Sequence, residues 1–172
     1  MDRTNTAAST TPIPVPVVTA AVGFAPKEIT TAESTRSARL KWVVVVDAAL
    51  PPGRQVNAAV CVSAATAVRV AGLLGPDGTD AGGHSHPGLP WAGCTVLSAT
   101  SAQLAELGAR TVGDVDLLVV DMPESAQTNR VYDEYLGQLA ATAADGIARL
   151  AISIVGPRNR VDRLVKRLSL LG

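Results

Sequence analysis

A three-layer α/β/α domain with a four-stranded mixed sheet is what this sequence predicts. Three observations predict it. Short apolar runs alternate with segments of helical periodicity, and the runs are apolar at consecutive positions, so both faces of the sheet must be covered. A third observation is length: 172 residues make one domain, able to bury about 70% of its unfolded surface without a metal or disulfide staple. Residues 1–38 are expected as a partly flexible N-terminal extension and residues 39–172 as a single α/β domain.

The elements follow in order. Met1 to Ala20 carry prolines at Pro12, Pro14 and Pro16, a spacing that removes backbone donors and favours extended, polyproline-like chain. Pro26-Lys27-Glu28 suits a first helical turn in a short docking arm. Lys41 to Asp47 contains four consecutive valines, whose branched side chains favour a central strand buried on both faces. Pro51-Pro52-Gly53 stops that strand, and a helix is expected from Asn57, as its cap, to Ala71. No charge occurs between Arg54 and Arg69, so this helix should be buried on more than one face, against further layers or a second copy of the chain.

Gly75 to Pro90 is dense in Gly, Pro and Asp and reads as a long surface loop. Cys94 to Leu97 is a short strand; Thr100 and Gln103 then form a capping box for a helix running to about Thr111. Val115 to Val120 is the next strand, and Val131, Tyr132, Tyr135, Leu136 and Leu139 repeat at helical spacing, tyrosines inward and Asp133 and Glu134 solvated. Asp145-Gly146 turns the chain into the strand Leu150 to Val155. Gly156-Pro157 ends it, and Val161, Leu164, Val165 and Leu168 set the stripe of a closing helix.

Fifteen basic residues balance fifteen acidic ones, so no overall field steers the chain toward nucleic acid or an acidic membrane, and such binding would need a local patch. Cys61 and Cys94 lie in apolar runs without CxxC spacing, which predicts buried free thiols in a reducing compartment. The first residues lack the basic start of a secretory signal, and no window reaches the ~18 apolar residues of a membrane span. A cytoplasmic protein with no membrane association is expected. No Walker lysine follows the glycines and no GxGxxG follows a strand, so no cofactor is expected.

Larger motifs carry a resemblance. LVVD, a strand ending in GP and the closing VDRLVKRLSLL resemble the end of type II peptidyl-tRNA hydrolases, and KWVVVVD, LPPGR and NAAVCVSAA resemble that family's first strand, turn and helix. Closer still, VVVVDAALPPGRQVNAA, HPGLP, DMPESAQTNRVYDEY and ISIVGPRNRVD are similar to the uncharacterised bacterial family "domain of unknown function 2000". The resemblance spans about Lys41 to Leu171 and implies a peptidyl-tRNA hydrolase-like fold. It also implies that Asp121, with Thr128, keeps the hydrolases' carboxylate-hydroxyl corner. Ser63 stands where those enzymes carry a helix histidine and Val60 where they carry glutamine. Arg54 answers their turn lysine, keeping the charge but unable to give up a proton.

Asp47 and Asp121 both close apolar strands, where α/β sheets bind ligands, and are expected to converge with Arg54 and Asn57 on a polar pocket. Each aspartate is equally suited to capping its own turn. Of the two histidines, His84 and His86, the second is the candidate general base beside Asp121, in a loop folding over that corner; two histidines in a Gly-rich loop do not make a metal site. Arg158, Arg160, Arg163, Lys166 and Arg167 against the single acid Asp162 make the closing helix basic, a solvated face or a seat for an RNA backbone, with Arg158 as a ligand-binding candidate. A homodimer is expected because the Asn57 to Ala71 helix has more apolar surface than one sheet face covers. Together these residues predict a non-hydrolytic binding module for a small polar ligand or nucleotide end. The alternative is a hydrolase of aminoacyl- or peptidyl-tRNA esters.

Overall fold

The computed structural model of the chain describes residues 22–172. The polyproline-like reading of Met1 to Ala20 lies outside these residues. In chain order the main elements are β1 (Leu40–Asp47), α1 (Pro52–Ala67), β2 (Gly78–Thr79), β3 (Ser85–His86), β4 (Thr95–Ala99) and α2 (Ser101–Thr111). They are followed by β5 (Leu118–Pro123), α3 (Ser125–Thr128), α4 (Tyr132–Ala140), β6 (Arg149–Pro157), α5 (Arg158–Val165) and β7 (Ser169–Leu170). Five strands form one mixed sheet in the order β5-β6-β1-β4-β7, with β4 parallel to β1 and the other three pairings antiparallel. The strands β2 and β3 form a separate hairpin.

β1 is central, and its valines divide by parity. Trp42, Val44 and Val46 pack under α1 with Ala58 and Val62, while Val43 and Val45 pack under α2 and α5 with Leu104, Leu107, Val161 and Val165. Helices on both faces explain the consecutive apolar run. At the middle of the α1 side, Trp42 Nε1 donates to Ser153 Oγ (2.8 Å), which meets Thr66 Oγ1 at 2.7 Å.

The sheet differs from expectation in two places. The fifth strand, β7, is too short for any periodicity and exists because Ser169 and Leu170 align on β4. The strand expected over 115–120 starts instead at Leu118: Asp114 accepts the amides of Asp116 and Leu117, a turn that leaves Val115 exposed. The Thr100-Gln103 capping box of α2 is present in both directions.

α1 begins five residues before Asn57. Pro51 is its cap, Pro52 occupies the first turn where its missing N–H costs nothing, and Asn57 is an interior residue. Among the described residues, α1 is buried on one stripe only, Ala58, Val62 and Thr66; Val56 and Val60 are 61% and 60% exposed because none of those residues forms a layer outside it. Cys61, on this helix, and Cys94, before β4, are likewise exposed rather than buried. α4 lies beyond the edge strand against α3, with no sheet face to cover it. Tyr132 is therefore exposed and Tyr135 half-buried, rather than both inward. No helix among the described residues is long and apolar enough to cross a membrane.

Residues 22–38, expected as part of the extension, contribute Val22, Phe24 and Ala38 to the core. The Phe24 amide donates to Ala71 O (2.8 Å) and its ring lies 4.8 Å from that of Trp91. Gly72 (φ +68°) permits this approach, since a Cβ there would stand 2.9 Å from Phe24 O. Arg39 Nε donates to Glu28 Oε1 at 2.5 Å and the Ala25 amide to Oε2 at 2.8 Å. The Arg39 hydrogen bond, then the Ala25 amide, lower the Glu28 carboxyl from 4.5 to about 2. Because the folded value is depressed, the contribution of this pair is complete above pH 4.5 and lost as pH falls through about 2. An NMR titration of the Glu28 carboxyl carbon should therefore give a midpoint near 2, returning toward 4.5 in Arg39→Met. An unshifted midpoint in the parent chain would show that the arm is not held this way.

Candidate functional site

The residues expected to converge are distributed over both faces of the sheet. Asp47 ends β1 on the α2 side and is buried; Oδ1 accepts the Ala49 amide (2.9 Å) and Oδ2 accepts Ser101 Oγ (2.7 Å), pinning the turn and the start of α2. Asp121 lies within β5, opposite Ile152 and hence on the same face as Val45 and Asp47, but β6 separates their strands by about 10 Å. Arg149 Nε donates to Asp121 Oδ2 at 2.8 Å.

Arg54 and Asn57 sit on the opposite face, at the start of α1, and are joined through Gln127 of α3. Arg54 Nε donates to Gln127 Oε1 (2.6 Å), while Gln127 Nε2 donates to Arg54 O (3.1 Å) and Asn57 Oδ1 (2.8 Å). The single pocket of Asp47, Arg54, Asn57 and Asp121 is thus not formed, because α1 rises on one face of the sheet and both carboxylates point to the other. Thr128 Oγ1 donates within its own helix, to Glu124 O and Ser125 O (both 3.3 Å). Arg158 secures the arm, donating to Ala38 O (3.1 Å) and Thr35 O (3.0 Å).

His86 lies in the β2–β3 hairpin, which follows the far end of α1, away from the carboxyl end of β1. Its Nε2 is 3.4 Å from Asp80 Oδ2, and His84 Nδ1 is 3.2 Å from the same oxygen. The His84 amide first, then the His86 ring, hold Asp80 below its ordinary range. The histidines therefore engage Asp80 within their own hairpin and make no hydrogen bond to Asp121.

What the fold does build beside Asp121 is a groove of about 680 Å³ between α1 and α4 across the free edge of β5. Cys61, Ala65 and Arg69 form its α1 wall, Val120 and Asp121 its floor, and Tyr132 and Tyr135 its far wall. The tyrosine rings meet edge to face at 5.4 Å. Partial burial, with Tyr132 and Asp121 adding to it, raises Tyr135 above its ordinary range and keeps the hydroxyl protonated as a donor. An apolar groove with a few polar groups has the character of a small-molecule site. Arg149, Gln127 and Arg69 are absent from the sequence expectation. The i, i+3 spacing of Tyr132 and Tyr135 was the one signal of the far wall, and it reads equally well as core.

The family model described as "Protein of unknown function (DUF2000)" matches residues 40–172. A solved structure of a protein of unknown function from Agrobacterium tumefaciens is similar, with a TM-score of 0.71 and 14% identity over 78% of this chain and 98% of that one. At that identity the likeness shows the fold alone. No curated protein matches.

Proposed function

Because the chain belongs to the DUF2000 family of proteins of unknown function, we propose from its site that it is a non-hydrolytic binding module, taking a small polar ligand or nucleotide end in the α1–α4 groove. One observation carries this reading: Asp121, at the groove floor, turns its carboxylate to the α2 side of the sheet, where Arg149 holds it at 2.8 Å, so the floor offers no free carboxylate as a base. That arrangement suits ligand binding better than proton abstraction. The tyrosine hydroxyls and Arg69 supply donors, and the apolar α1 wall supplies burial. Val60 points outward, 60% exposed, so the helix position that is polar in the hydrolases does not face this site. The peptidyl-tRNA hydrolase likeness, on this reading, is one of architecture.

The chain acts as a homodimer. At about 100° per residue, Val56 and Val60 lie on the outer flank of α1, away from Cys61 and Ala65, so a second copy covers them and leaves the groove open. Light scattering at micromolar concentration should report a dimer that Val60→Glu dissociates; a parent monomer would remove this part.

Thermal-shift screening with nucleotides, tRNA and metabolite mixtures tests the groove. A ligand at a hundred times its Kd stabilises the native state by about 2.7 kcal/mol, and Tyr135→Ala with Arg69→Ala should abolish the shift. If nothing in the screen raises Tm, the binding module loses its support. Release of peptide from peptidyl-tRNA, stopped by Asp121→Ala, would instead establish a hydrolase.

A further inference from the structure

On the sheet face opposite the α1–α4 groove, α2 and α5 leave a second cleft, of about 510 Å³. The helices run antiparallel: Arg110 of α2 faces Arg160 and Arg163, and Gln103 faces Arg167 and Leu168. Four cations line the cleft, Arg110, Arg163, Lys166 and Arg167, against one acid, Glu106. The neighbouring acids are engaged elsewhere. Asp114 accepts both Arg160 Nε (2.9 Å) and Nη2 (2.5 Å), and Asp162 pairs with Lys41 at 2.5 Å. Among the described residues Arg163, Lys166 and Arg167 have no ion-pair partner, and Arg110 reaches Glu106 only at 3.7 Å.

Helix dipoles favour cations in the last turn of each helix but do not require that cations of two helices face one cleft. Their mutual repulsion there is unfavourable until an anion enters. Leu107, Leu164 and Leu168 give the cleft low-dielectric walls, which focus the positive potential. From Gln103 to Arg110 it follows about 10 Å of α2, so more than one phosphate of a ligand is met at once, and arginine matches phosphate in two-pronged fashion.

We propose that this cleft is a binding site for clustered phosphates, supplied by the polyphosphate of a nucleotide or by a single-stranded RNA backbone. It is separate from the α1–α4 groove and does not depend on it. The test uses the full chain with three probes: fluorescein-labelled single-stranded RNA by anisotropy, and ATP and inorganic tripolyphosphate by calorimetry. At least one should bind, and Arg163→Glu with Arg167→Glu should weaken that binding about tenfold or more, whereas Lys27→Glu, remote in the arm, should leave it unchanged.

For RNA, four contacts predict a slope of log K against log salt of about −3, falling by about half in the double variant. RNA binding without ATP or tripolyphosphate binding would identify the backbone as the source; comparable binding of ATP and tripolyphosphate would identify the polyphosphate. Because Arg163, Arg167 and Lys27 are exposed, circular dichroism should show unchanged folding in these charge variants. The inference is overturned if no probe binds, or if binding survives the double charge reversal and is lost instead in Tyr135→Ala, an outcome that would leave the groove reading intact.

Discussion

Ile154→Ala is expected to lower stability by about 2–5 kcal/mol, the range for deleting a fully buried branched side chain and leaving a cavity. Ile154 is 0% exposed and stands in β6 between Val43 of β1 and Val119 of β5. It packs in the cluster that holds α2 and α5 to the sheet, among Leu104, Leu107 and Val161. Neighbours fixed in strands on both sides cannot collapse into the space, so the cavity term adds to the lost transfer free energy. Urea titration should show a lower midpoint with an unchanged slope, and Ile154→Val should cost only about 0.5–1.5 kcal/mol. A cost for alanine no greater than that for valine would mean that β6 does not join two rigid halves of the core.

Ser153→Ala is expected to cost about 1–3 kcal/mol although it removes a single oxygen. The hydrogens of the buried trio can be assigned. Thr66 Oγ1 donates to Val62 O at 2.7 Å, which uses its only proton; Ser153 Oγ must then donate to Thr66 and accept from Trp42 Nε1. Alanine leaves the indole N–H without an acceptor on a face closed to water, Ser153 being 1% and Trp42 6% exposed. In a double-mutant cycle, Trp42→Phe with Ser153→Ala should cost less than the sum of the single changes by about 0.5–3 kcal/mol, because the orphaned donor is gone. Strict additivity would show that the indole finds another partner.

The core was largely legible in the sequence, and the site was not. Four consecutive valines imply a strand covered on both faces, because stiff branched side chains favour extended chain and each parity must find apolar neighbours; β1 is central for that reason. The Thr100-Gln103 box specifies the start of α2 through bonds spanning three residues, so no distant partner is needed. Where local signals compete, the sequence misleads: Asn57 looks like a cap, but Pro51 and Pro52 start the helix a turn and a half earlier.

Asp47 and Asp121 show how the site escaped. Each follows an apolar run, and nothing local separates them. By itself the sequence determined that these acids would sit toward the carboxyl ends of apolar strands, because periodicity and composition report burial and local hydrogen bonding. Only the tertiary structure decided their partners: β6 enters between β1 and β5, bringing Arg149 to Asp121, while α2 brings Ser101 to Asp47. Long-range contacts likewise placed Tyr135 beside Asp121 and turned the cations of α2 and α5 into one cleft. The physical reason is that strand order and helix side are settled by packing between distant segments, and a one-dimensional pattern carries the need for such packing without its partners.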